Sequence, residues 1–148
     1  MAEEGNKVVD LNSAYRHKVD AKGRMSLPAS FRKVLSTDAG ANRTEDECLY
    51  VFEPDAFNAW VAGVFEDKFE KFDRTNDLHV RLRRKLKSRA ADVSIDAAGR
   101  IMISAEQREA VGIDKEVVVV GNTGYFEIWD AKRYDAVDDE TDLGLLFD

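Results

Sequence analysis

An internal duplication restricts the fold of this chain more than any other feature. Laying residues 18–35 over residues 94–111, an offset of 76, aligns K-V-D-A-K-G-R-M-S-L-P-A-S-F-R-K-V-L with S-I-D-A-A-G-R-I-M-I-S-A-E-Q-R-E-A-V. Six of the eighteen positions are identical: Asp20/Asp96, Ala21/Ala97, Gly23/Gly99, Arg24/Arg100, Ala29/Ala105 and Arg32/Arg108. Several others keep apolar character, as in Val19/Ile95, Met25/Ile101 and Leu27/Ile103. Further on, Phe52-Glu53-Pro54-Asp55-Ala56 echoes Ile128-Trp129-Asp130-Ala131, an apolar strand running into a helix start. A repeated supersecondary unit cannot bury its apolar face alone, so the two copies are expected to share one core.

Each copy predicts the same elements. A short strand ends at Asp20 or Asp96, a tight loop carries Gly23 or Gly99, and a second strand starts at Arg24 or Arg100, the pattern of a hairpin. A helix follows: Pro28 suits the first turn and residues 29–35 continue it, while Ser104 with Gln107 forms a capping-box pattern ended by Gly112. More strands are expected over residues 49–53, 116–120 and 125–129, the last two joined by Gly121-Asn122-Thr123-Gly124. Between the copies, Phe57, Trp60, Val61, Val64 and Phe65 recur on one helical face as a packing stripe. Leu78, Leu82 and Leu86 recur every fourth residue among arginines and lysines, so two amphipathic helices are expected there. The fold class is therefore α+β, with tandem duplicated modules. The division expected is a flexible extension over residues 1–13, a first repeat over 14–60, connecting helices over 61–90, a second repeat over 91–134 and an acidic tail over 135–148.

With 148 residues and 44% hydrophobic content, two half-sized modules can share a core without a metal or disulfide staple. Cys48, the single cysteine, lies in the apolar run Cys48-Leu49-Tyr50-Val51-Phe52, which suggests a buried structural thiol and a reducing, cytoplasmic setting. Residues 1–12 contain no apolar leader and no stretch of the chain is long and apolar enough to span a bilayer, so neither export nor membrane insertion is expected. No P-loop, G-x-G-x-x-G, G-x-S-x-G or H-E-x-x-H motif and no Cys/His cluster is present. His17 and His79 lie far apart, the latter expected to face solvent on a basic helix, and the paired Asp138 and Asp139 fall in the expected tail. The expectation is a protein that is not an enzyme, with no cofactor, no metal and no small-molecule substrate.

A net charge of −7 opposes nucleic-acid binding unless a local positive surface overcomes the field. The charges are unevenly placed. From Arg16 to Arg24 the balance is +3 with His17 in addition, and from Arg81 to Arg89 six cations face no anion, while residues 135–148 carry −6. Within the first basic stretch, the shared Asp, Gly and Arg of D-A-K-G-R and D-A-A-G-R have separable roles. Glycine permits positive φ, the carboxylate can pin loop N–H groups or the Arg, and the Arg is thereby fixed on the surface. Such a guanidinium can bridge phosphates or contact guanine bidentately. Equally, Asp20 with Arg24 can be an internal salt bridge repeated because the unit was duplicated. The copies differ, since Ala98 replaces Lys22 and Ser94 replaces Lys18. The second loop, with Asp96, Gly99 and Arg100, reads as structural, and the first as a binding surface.

The segments H-K-V-D-A-K-G-R-M-S-L-P-A-S-F-R, D-A-A-G-R-I-M-I-S and V-V-V-V-G-N-T-G-Y-F-E-I-W-D together resemble the MraZ family, two-repeat relatives of AbrB-type transition-state regulators. The resemblance spans residues 15–134. It implies swapped-hairpin β-barrel modules, homo-oligomeric rings, and association with the nucleoid through double-stranded DNA. It further implies binding to short direct repeats upstream of the operon for cell division and wall synthesis, which includes the family member's own gene. In that family the first D-x-K-G-R loop meets DNA, which carries over to Asp20, Lys22, Gly23 and Arg24, flanked by Arg16, His17 and Lys18. A ring would let several weak loop contacts act as one multivalent event despite an acidic monomer. The alternative is a protein-interaction module, antitoxin-like or a ring scaffold, acting through the acidic end with Leu143, Leu145, Leu146 and Phe147.

Overall fold

The computed structural model describes residues 13–29, 31, 40–43, 48–122 and 124–147. Eight strands are found there: β1 Ala14–Lys18, β2 Arg24–Ser26, β3 Gly40–Arg43, β4 Leu49–Phe52, β5 Ala91–Asp92, β6 Arg100–Met102, β7 Glu116–Gly121 and β8 Tyr125–Asp130. Four α-helices accompany them, α1 Pro54–Phe69, α2 Asp77–Ser88, α3 Ala105–Ala110 and α4 Ala131–Glu140, before a 3₁₀ turn at Leu143–Leu146. The fold is mixed α+β with antiparallel sheets. Of the helix expected over residues 29–35, Ala29 and Phe31 are helical and the rest lies outside the described residues, as do most of the N-terminal extension and Thr123. Among the described residues no helix is long and apolar enough to cross a membrane.

Four of the six strand pairings cross the duplication, β1–β7, β2–β6, β3–β5 and β4–β8, while β3–β4 and β7–β8 pair within a copy. Six form one sheet in the order β1-β7-β8-β4-β3-β5, and β2 with β6 makes a separate two-stranded ribbon. Thus His17 of β1 lies opposite Val117 of β7, and Met25 of β2 opposite Ile101 of β6. This corrects the expectation of local hairpins at the D-A-K-G-R and D-A-A-G-R turns, whereas the hairpin expected around residues 121–124 forms as β7–β8. The two D-A-x-G-R turns form, but their arms diverge into different sheets and find partners in the other repeat. Alternation along the strands explains the choice, because Val117, Val119, Phe126 and Ile128 put one apolar face of the sheet toward Met25 and Ile101 of the ribbon, and all six are buried. At about 25 cal/mol per Å² of apolar surface, that sandwich supplies the main drive to fold.

The other face of the sheet carries helices. Tyr50 and Phe52 of β4 pack on Trp60 of α1, with ring centroids 5.7 and 5.3 Å apart, and Trp129 of β8 meets Tyr134 of α4 at 6.0 Å. Both repeats run from strand into helix as the sequence predicts. Pro54 starts α1, and Asp130 caps α4 by accepting a hydrogen bond from the Arg133 N–H. Ser104 caps α3 by accepting from the Gln107 N–H at 3.1 Å, and Gly112 follows the helix at φ +70°.

Two expectations change. His79 does not face solvent: it is buried among Phe65, Phe69 and Phe72, and its Nδ1 accepts a hydrogen bond from the Asp73 N–H at 3.0 Å. Three aromatic rings at the end of α1 and beyond it make a pocket that a planar imidazole fills. The leucine row of α2, set among cations, lies on a solvated face, with Leu78 and Leu82 exposed. The acidic end is not a structureless tail through its first part, because α4 continues to Glu140.

Candidate nucleic-acid interface

The turn between β1 and β2 is held by one carboxylate. The Gly23 N–H donates to the Asp20 carbonyl and the Asp20 N–H to the Arg24 carbonyl, each at 3.0 Å, which closes the loop. Asp20 Oδ1 accepts from the backbone N–H groups of Lys22 and Arg24, both at 2.9 Å, and Oδ2 accepts from Arg24 Nε at 2.7 Å. These contacts favour the ionised form, so the Asp20 carboxyl sits below its ordinary range, chiefly through the Arg24 N–H. Gly23 is needed here twice over. Its φ is +85°, and a side chain would place Cβ 2.2 Å from the Ile103 carbonyl oxygen, against which the loop packs.

The second turn is a copy in detail. Asp96 Oδ1 accepts from the Ala98 and Arg100 N–H groups at 2.9 Å, Oδ2 accepts from Arg100 Nε at 3.1 Å, and Gly99 has φ +78°. The two turns also brace one another's strands. The Ile103 N–H donates to the Gly23 carbonyl at 2.8 Å and the Leu27 N–H to the Gly99 carbonyl at 3.1 Å. Each loop is therefore locked at one end of the β2–β6 ribbon.

Ribbon register decides which side chains share a surface. Arg24 lies opposite Met102 and Ser26 opposite Arg100, while the intervening Met25 and Ile101 are buried. By strand alternation Arg24, Ser26, Arg100 and Met102 occupy the outer face together. The internal ion pair and an outward-facing guanidinium thus coexist: Asp20 holds Arg24 through Nε, and the Arg24 side chain stays 36% exposed. Exposed Lys22 lies two residues before it in the same turn.

Arg16 and His17 are placed differently. On β1 the side chains of Arg16 and Lys18 project to the helical face, and Arg16 pairs with Asp135 of α4. His17 projects to the opposite, core-facing side, where its Nε2 is buried without a hydrogen-bond partner among the described residues and burial pulls its pKa below the usual value. The basic stretch is therefore not one patch. Sequence reasoning missed Arg108, whose Nε donates to the Ile103 carbonyl at 3.2 Å and whose guanidinium lies against Gly23. Its identity with Arg32 in the duplication was the available signal.

Two carboxylate-pinned Gly-Arg turns on a shared ribbon define a two-repeat α+β protein whose duplicated loops face outward. The family model described as "MraZ protein, putative antitoxin-like" matches residues 11–79 and 86–145. Relatives named "Transcriptional regulator MraZ" come from Burkholderia cenocepacia and Burkholderia lata, each 38% identical over 125 residues and covering 80% of this chain and of the relative. Another, from Paraburkholderia phytofirmans, is 37% identical over 122 residues with the same coverage. The chain belongs to the MraZ family.

Proposed function

We propose that this chain is a DNA-binding transcriptional regulator of the MraZ type. Its targets are short direct repeats upstream of the division and cell-wall operon that includes its own gene, and it acts in the cytoplasm on nucleoid DNA. The observation that carries the reading is the Arg24 guanidinium, anchored through Nε by Asp20 on an exposed ribbon face. Pre-orienting a donor fork in this way lowers the entropy lost when it engages a base edge or phosphates, and a two-stranded ribbon has the width of a major-groove reader.

Arg24 and Lys22 are assigned direct contact, while Arg16 and Lys18, on the helical face of β1, add to the local positive field. Asp20 and Gly23 set the turn, and His17 supports β1 from the core side. The loop of Asp96, Gly99 and Arg100 serves mainly structure, since Ala98 stands where the first loop has Lys22. The cross-repeat strand pairing favours the swapped-hairpin barrel arrangement, with repeats at residues 14–60 and 91–134. A ring of copies presenting Arg24 to successive repeats gives the avidity that a net charge of −7 would otherwise deny.

Fluorescence anisotropy with the chain's own upstream DNA and a scrambled control tests the reading. Wild type is expected to bind the native fragment tightly and lose affinity as salt rises. Arg24→Ala should weaken that binding by about 1–3 kcal/mol, roughly 5- to 150-fold, and Arg100→Ala by less. Equal, weak binding to both DNAs that ignores Arg24→Ala would overturn the regulator reading in favour of an interaction module.

A further inference from the structure

We propose that the leucine edge of α2 is the docking site for the C-terminal segment, residues 138–147, of a second copy of this chain. The edge has a definite pattern. Leu78 and Leu82 are 56% and 41% exposed, and Leu86 continues their row. Arg81, Lys85 and Arg89 each follow a leucine by three positions, so a cationic row runs alongside the apolar one. Two other cations of the helix are engaged elsewhere: the Arg83 guanidinium lies 3.8 Å from the Phe72 ring centre, and Lys87 Nζ donates to Asn58 Oδ1 at 3.2 Å. Those two contacts tie α2 to α1 and the loop that follows it, and leave the leucine edge outward.

The C-terminal segment has the complementary pattern. Asp138, Asp139, Glu140 and Asp142 precede Leu143, Leu145, Leu146 and Phe147, which are 68%, 76%, 75% and 85% exposed. The segment is shaped in advance: Asp142 accepts a hydrogen bond from the Gly144 N–H at 2.8 Å, closing the turn that carries the leucines. An apolar row beside cations matches an apolar turn beside carboxylates, in both charge and hydrophobicity. DNA is the poorer occupant, because phosphates would leave Leu78 and Leu82 against water or charge. Within one chain both surfaces stay open, since α4 is held on the sheet by Trp129–Tyr134 packing and the Arg16–Asp135 pair. Such a contact joins different surfaces of two copies, so it propagates head to tail and closes only as a ring.

The test is sedimentation velocity on the full chain and two variants, with circular dichroism to check folding. One variant reverses the cations (R81E/K85E/R89E), and the other reverses the tail (D138K/D139K/E140K). Each alone is expected to lose the assembly shown by wild type, and a chain carrying both sets is expected to regain it. Truncation after residue 137 should likewise dissociate the assembly while the fold persists. A monomeric wild type, variants that assemble as wild type does, or a charge-swapped chain that stays dissociated would each overturn the proposal. Loss of DNA binding with assembly intact in R81E/K85E/R89E would also overturn it and assign α2 to DNA.

Discussion

At Gly23 no other residue fits, since φ is +85° and an added Cβ would lie 2.2 Å from the Ile103 carbonyl oxygen. Backbone atoms cannot step aside as a side chain tip can. Gly23→Ala should therefore cost about 2–4 kcal/mol, combining strain at positive φ with overpacking, measured by urea unfolding. The carboxylates beside the glycines make a different prediction. Asp20 and Asp96 both have pKa values lowered in the fold, first by the backbone N–H of Arg24 or Arg100. The stability they contribute is complete above the unfolded value of about 3.9 and is lost as pH falls through the lower folded values. Acid titration of the denaturation midpoint should show this loss, and Asp20→Asn with Asp96→Asn should flatten it. The Asp, Gly and Arg of these turns could be read from the duplication because their roles are local. The place of Arg108 under Gly23 could not, because it depends on how two distant segments meet.

The three-residue strands β2 and β6 show what local sequence leaves open. A glycine and an aspartate specify a turn, yet nothing in D-A-K-G-R states which strand its arms will choose. Here β1 chooses β7 and β2 chooses β6, so the arms of one turn belong to different layers. The choice is set by burying Met25 and Ile101 together, an arrangement visible only when both repeats are considered at once. Ile101→Ala should accordingly destabilise the whole fold by about 2–5 kcal/mol, rather than loosening the second repeat alone, and amide exchange should report the loss in both repeats. Helix existence was readable along residues 54–88, since periodicity of 3.6 is a property of one segment. Which face is covered was not. Val61 and Phe65 are buried as the stripe suggests, but α2 buries His79 and turns its leucines outward.

Because β1 and β4 flank the β7–β8 pair, neither repeat has a complete sheet of its own. A chain ending at residue 90 should give the circular dichroism and narrow amide dispersion of a largely unfolded protein. Adding residues 91–148 should restore the fold, as expected of two fragments whose strands interleave. The strand order also has a consequence in time. His17 pairs with Val117, one hundred residues later, so β1 leaves the ribosome long before its partner has been made. At about 5–20 residues per second, the first strands wait roughly 5–20 seconds without a sheet to join. During translation the nascent first repeat therefore has to remain soluble with its future core exposed, and its safekeeping falls to chaperones or to the speed of the ribosome rather than to its own stability.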